Sequence, residues 1–89
     1  MCGIAGIIGY RANRGSILQM LETQKHRGPD FVDYYLEENT IVLGHNRLSI
    51  IDLSSKANQP FISDCGNYIL VFNGEIYNYL ELRNELQSK

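Results

Sequence analysis

Apolar and polar positions change period several times along the chain, and each change marks an element. From Cys2 to Gly9 the chain is nearly all apolar, which predicts a buried strand. Gly3, Ala5, Gly6 and Gly9 lie within it; glycine weakens a strand unless another backbone approaches closely. From Ser16 to Lys25 the spacing becomes helical, with Ile17, Leu18 and Leu21 as a short stripe and Ser16 with Gln19 as a capping box. The stretch from Lys25 to Asp30 contains Gly28-Pro29, which breaks helix and strand alike, so it reads as a loop. Strands are expected over 31–38 and 40–48, joined by a turn at Glu38-Asn39 into a hairpin. Residues 48–53 have mixed periodicity, and 54–60 is polar and loop-like. A second hairpin is expected from 61–63 and 67–72 around Asp64-Cys65-Gly66. After Asn73-Gly74, Asn78 with Glu81 forms another capping box, and Leu80, Leu82 and Leu86 predict a helix to the end. No repeat, low-complexity tract or linker interrupts this order. The fold class expected is α+β: mostly antiparallel strands covered by helices.

Size and charge narrow the picture. A chain of 89 residues is one domain's worth at most, with a modest core. It is 44% hydrophobic and 20% charged, a globular balance. Eight basic residues face ten acidic ones for a net charge of -2, and no basic run occurs. Nucleic acid and anionic membrane are therefore poor partners. The longest apolar runs, Ile4–Tyr10 and Tyr68–Phe72, fall far short of the ~20 residues a membrane helix needs. No secretory signal pattern follows Met1, so the expected compartment is the cytoplasm, with Cys2 and Cys65 as free thiols. The helical pattern reaches Lys89 without a stop signal, which suggests part of a larger domain.

Candidate chemistry begins at Cys2. Removal of Met1, favoured before a small residue, would leave a thiol and a free α-amine on one residue. An α-amine titrates at about 7.7–8.0, so near neutrality it can accept a proton. Nucleophile and base would then sit together, and no separate histidine is required. The plainer reading is a small buried hydrophobe near a frayed end. His26 and His45 lack metal-ligand spacing with each other or with the cysteines, so no metal site is expected. His26 suits a loop hydrogen bond, and His45 a satisfied strand histidine. Gly3, Gly6 and Gly9 are not in a dinucleotide-binding pattern. Asn73-Gly74 follows a strand, where a side-chain amide and a backbone N–H can form an oxyanion hole; it is also a common turn pair. Arg47 lies on an otherwise apolar strand. It can hold a carboxylate through two parallel hydrogen bonds, or pair with Asp52. Glu75 can bind an ammonium or cap the following helix. Together these groups suit an amino acid with a side-chain amide, glutamine first among them.

Five motifs then occur in order: Met1-Cys2-Gly3-Ile4-Ala5-Gly6, His26-Arg27-Gly28-Pro29-Asp30, the stretch from Gly44 to Ser54, Gln59-Pro60, and Phe72 to Asn78. With them the chain resembles the glutaminase domain of class II glutamine amidotransferases, a branch of the N-terminal nucleophile hydrolases, and within it the glutamine-hydrolysing asparagine synthetases. The resemblance implies a four-layer αββα sandwich, of which residues 1–89 would be the N-terminal portion, incomplete at the C-terminus and without the synthetase domain. It implies Cys2 as nucleophile, Asn73 and Gly74 as oxyanion hole, and Arg47 on the glutamine carboxylate. Backbone groups at Leu48 and Ile50 would touch substrate, with Glu75 at the amino end. The loop from His26 to Asp30 would lie near the site without a catalytic role. Asn46 stands where many relatives have Arg, which reads as tolerated variation.

By the same resemblance, glutamine is hydrolysed through a Cys2 thioester, and the ammonia serves ATP-dependent asparagine synthesis. No cofactor is expected in this segment; ATP and Mg belong to the synthetase domain, a partner in cis. A homodimer is an option for a full-length protein, and the isolated 89 residues are expected to be inactive or nearly so. Two alternatives stand beside this reading: an N-terminal cysteine hydrolase of another amide, and a non-catalytic regulatory module of the same fold.

Overall fold

The structure is a computed structural model that describes residues 2–49 and 55–89. Five strands and two helices follow one another as β1 (Gly3–Ile8), α1 (Arg14–Thr23), β2 (Phe31–Glu37), β3 (Ile41–Arg47), β4 (Phe61–Ile62), β5 (Ile69–Leu70) and α2 (Tyr79–Gln87). Short 3-10 turns lie at Lys25–Arg27 and Ser55–Ala57. The class is α+β with antiparallel pairing throughout, in two small sheets.

The larger sheet has the order β1-β3-β2, so β3 is central. Gly3 pairs with Asn46 and Ile8 with Ile41 on one side; Phe31 pairs with Arg47 and Glu37 with Ile41 on the other. The β2–β3 hairpin turns where the sequence places it. Asn39 takes a left-handed backbone there, with φ 62°, a conformation asparagine tolerates better than most residues. Side chains alternate across a strand. Val42, Gly44 and Asn46 therefore face α1, while Leu43, His45 and Arg47 face the other way.

The core forms on the α1 side. Ala12, Ile17, Leu21 and Val42 are buried, with Ala5, Ile7, Leu18, Met20, Tyr34 and Leu36 packed around them. Helix and strand approach closely because Gly44 has no side chain: a Cβ there would lie 2.9 Å from Leu21 Cδ1 and 3.0 Å from Ile17 Cγ1. The helix starts earlier than its hydrophobic stripe. Its cap is Asn13, whose Oδ1 accepts the Ser16 N–H at 2.8 Å. The expected Ser16 capping box is thus displaced by a stronger cap one turn upstream, since the asparagine side chain satisfies an N–H that Ser16 would otherwise leave open.

The smaller sheet, β4 and β5, is shorter than its apolar residues suggest, with two pairs, Phe61 with Leu70 and Ile62 with Ile69. From Phe72 to Lys89 every residue is exposed, including the whole of α2. Asn78 precedes α2 but its side chain makes no capping hydrogen bond, so the second capping box does not form either. Leu80, Leu82 and Leu86 do lie on a helix, as expected, but face solvent.

Because so few residues form the core, each one matters. Ile17→Ala is expected to lower the unfolding free energy by about 2–5 kcal/mol. A fall in the urea midpoint at unchanged slope measures it.

Candidate active site

The nucleophile candidate lies just ahead of β1, beside the C-terminal end of β3. The Leu48 N–H donates to Cys2 Sγ at 3.3 Å, and the thiol approaches the Leu48 carbonyl at 3.8 Å. Cys2 is half-buried. Its carbonyl accepts a hydrogen bond from Arg27 Nε at 3.1 Å. Pairing of Gly3 with Asn46 sets this placement, since it brings Cys2 level with Arg47 and Leu48.

The loop that the sequence leaves without a role is therefore built into the site's frame. Gly28 is buried, and a Cβ on it would collide with the backbone of Asn46 and come within 2.7 Å of the Arg47 carbonyl carbon. Only glycine permits that approach. Asp30 then makes two contacts. Its N–H donates to the Arg47 carbonyl at 3.0 Å, and its Oδ2 accepts the Ser49 N–H at 2.7 Å. Asp30 thus braces the backbone on both sides of Leu48, the residue that meets the thiol, and Arg27 holds the carbonyl of Cys2 itself.

Arg47 is 6% exposed. Its Nη1 donates to Asn58 Oδ1 at 2.7 Å. The contact engages one of the guanidinium's donors and leaves the others for further partners. The alternative partner, Asp52, lies outside the described residues, as does Ile50.

Asn46 is fully buried. Its Nδ2 donates to the Leu21 carbonyl at 3.0 Å, and its Oδ1 accepts from Gln24 Nε2 at 2.8 Å. Through those bonds Asn46 ties the end of α1 to β3. His45 also departs from expectation. It is 1% exposed, yet neither ring nitrogen completes a hydrogen bond among the described residues. Burial lowers its pKa from the usual 6.5, the nearby Phe72 backbone opposes this, and the charge on Arg47 adds to it.

Asn73, Gly74 and Glu75 follow β5 and are exposed. Their approach is set one residue earlier. Gln59 Oε1 accepts the Phe72 N–H at 2.6 Å, and Gln59 Nε2 donates to the Phe72 carbonyl at 3.1 Å. The Phe72 ring lies against Gly74, where a Cβ would stand 3.0 Å from Phe72 Cζ. Cys65 is exposed, at the β4–β5 turn. A hydrogen bond with Ser63 Oγ holds its thiol below the usual range. Cys2 and Cys65 are free thiols.

The sequence-derived candidates Cys2, Arg47 and Leu48 are thus brought together directly. Asn73 and Gly74 connect to them through Phe72, Gln59, Asn58 and Arg47. Asn58 was hidden in a polar loop; the single available signal was that a strand arginine requires a polar partner.

Residues 1–89 match the glutamine amidotransferase domain family, and the chain belongs to it. It is 40% identical, over its full length, to glutamine-hydrolysing asparagine synthetase 1 of Bacillus subtilis, of which it spans 15%. It is 38% identical over 96% of its length to asparagine synthetase B of Escherichia coli, spanning 16% of that protein. Against asparagine synthetase 1 of Lotus japonicus it is 38% identical over 99% of its length, spanning 15%. The chain therefore covers less than a fifth of each of these relatives.

The buried imidazole gives a pH-dependent stability. His45 binds its proton less readily folded than unfolded, so its contribution is complete above about pH 6.5 and is lost as pH falls below that. Urea unfolding between about pH 7.5 and about pH 5.5 is expected to show this decline, and His45→Leu to flatten it.

Proposed function

We propose that this segment hydrolyses the side-chain amide of glutamine, with Cys2 as nucleophile. One observation carries the reading: the Cys2 thiol lies against the N–H of Leu48, the residue next to Arg47. The thiol thereby sits one residue along the chain from the bearer of the guanidinium. An amino acid held by its α-carboxylate at Arg47 would present its side chain toward the sulfur.

The steps follow from the groups available. The α-amine of Cys2, freed when Met1 is removed, takes the thiol proton. The sulfur attacks the amide carbon, and the carbonyl oxygen becomes an oxyanion facing the Asn73 side chain and the Gly74 N–H. The proton passes from the ammonium to the amide nitrogen, the C–N bond breaks, and ammonia leaves. A water then attacks the thioester, with the amine again as base, and glutamate and the free thiol are regenerated. Backbone groups at Leu48 and Ile50 would touch the substrate, and Glu75 would meet its ammonium.

Family membership and the names of the relatives support glutamine as the substrate. We read the described sheet as part of a four-layer αββα sandwich and residues 1–89 as the N-terminal portion of the glutaminase domain. A synthetase portion in cis would use the ammonia with ATP and Mg to make asparagine. On this reading the isolated segment has little activity by itself.

Glutamate and ammonia release by the complete translation product carrying this segment tests the proposal. Cys2→Ala is expected to abolish it. Asn73→Ala should lower kcat by about 100- to 1000-fold, the usual effect of losing one oxyanion donor. Arg47→Leu should act chiefly on KM for glutamine. Intact mass should show the loss of Met1; its retention in an active sample would sink the free-amine mechanism.

A further inference from the structure

Two consecutive side chains in the segment between the 3-10 turn and β4 reach opposite halves of the proposed site. Asn58 accepts from Arg47 at 2.7 Å, and Gln59 closes two hydrogen bonds on the Phe72 backbone at 2.6 and 3.1 Å. Adjacent Cα atoms are about 3.8 Å apart, so these two attachments cannot drift independently. We propose that Asn58-Gln59 is a pair of positioning residues that sets the spacing between the carboxylate clamp at Arg47 and the oxyanion donors at Asn73-Gly74. It thereby selects the length of the amide-bearing side chain. The inference rests on the glutaminase reading above and deepens it by naming what fixes substrate length.

The register explains why the second residue is an amide. Phe61 pairs with Leu70 and Ile62 with Ile69. Continued backward, that register sets Gln59 opposite Phe72, across Pro60, which has no N–H to donate. The Gln59 side chain carries the pairing one step past the end of the ladder. A carboxamide offers a donor and an acceptor side by side, which match the N–H and C=O of one residue. A carboxylate offers acceptors alone, and a lysine donors alone. The clamp closes on the residue immediately before Asn73, so slack there passes directly to the oxyanion donors. The Phe72 ring, held by the same clamp, lies against Gly74.

Asn58 acts at the other end. Its oxygen is one of the contacts that seat the guanidinium of Arg47, which is almost wholly buried. Loss of that contact would loosen the carboxylate anchor while the oxyanion donors stayed in place. The two residues should therefore divide their kinetic effects. Gln59 should act on transition-state contacts, and so on kcat; Asn58 should act on ground-state anchoring, and so on KM. A residue with only a structural role would not produce that division.

The test uses the complete translation product, with glutamine and its one-methylene-shorter analogue asparagine as alternative substrates. Gln59→Met is expected to lower kcat for glutamine by about 10- to 100-fold, the scale of a misplacement near 1 Å. KM should change by less than about threefold. Gln59→Glu, which keeps the acceptor for the Phe72 N–H, should recover part of the loss. Asn58→Leu should raise KM with kcat nearly kept. In Gln59→Met and Asn58→Leu the preference for glutamine over asparagine, as a ratio of kcat/KM, should narrow. Hydrogen exchange supplies a readout independent of activity: the Phe72 amide should exchange faster in Gln59→Met while the Val42 amide in the core stays protected. An unchanged kcat and an unchanged preference in Gln59→Met, or an unchanged Phe72 exchange rate, overturns the proposal. Glutamine hydrolysis that survives in Cys2→Ala overturns instead the reading beneath it, so the two failures are separable.

Discussion

The buried amide of Asn46 is the contact on which the remaining geometry depends. It is the last inward-facing residue of the central strand, and it binds the final turn of α1 through Leu21 and Gln24. A side-chain amide buried this deeply is costly unless its hydrogen bonds are made, so its two bonds select one seating of helix on strand. The next two residues inherit that placement. Arg47 gives its carbonyl to Asp30 and its guanidinium to Asn58, and Leu48 gives its N–H to the Cys2 sulfur. A slip of the helix against β3 would move the thiol's neighbour and the Arg47 guanidinium together.

Much of this was legible in the sequence, and the residues show why. The strand over Gly3–Ile8, the hairpin at Asn39 and the helix stripe of Ile17 and Leu21 follow from hydrophobic period and turn chemistry, which are local properties. Arg47 stood out as a charge on an otherwise apolar strand, and Cys2, Asn73 and Gly74 through the chemistry their groups can offer at a chain start and a strand end. The misses have a different cause. Asn13 displaced Ser16 as cap because capping strength depends on which backbone N–H the chain leaves open. The bonds of Asn46 were not visible because a polar residue on a strand shows no partner until a helix end is laid beside it. Asn58 and the bracing role of Arg27 and Asp30 arise from contacts across more than ten residues, and periodicity carries no information about those.

The two faces of the larger sheet do different work. The face under α1 is closed by the apolar Ile17, Leu21 and Val42, with Asn46 as the buried polar residue at its end. The opposite face carries His45 and Arg47, both nearly inaccessible, beside the exposed Ile4 and Ile8. Polar side chains concentrate where the strand meets the loop segments: Arg47 reaches Asn58, and neither ring nitrogen of His45 completes a hydrogen bond among the described residues.

The strand order also bears on how the protein is made. β1 lies at the sheet edge and pairs with β3, about forty residues further along the chain. On a ribosome the strand after Cys2 emerges first and must wait for β3, whereas β2 and β3 can zip together as a local hairpin. Cys2 is thus among the last residues to be seated. Until then it has no Leu48 N–H beside it, and the nascent chain carries its thiol away from β3.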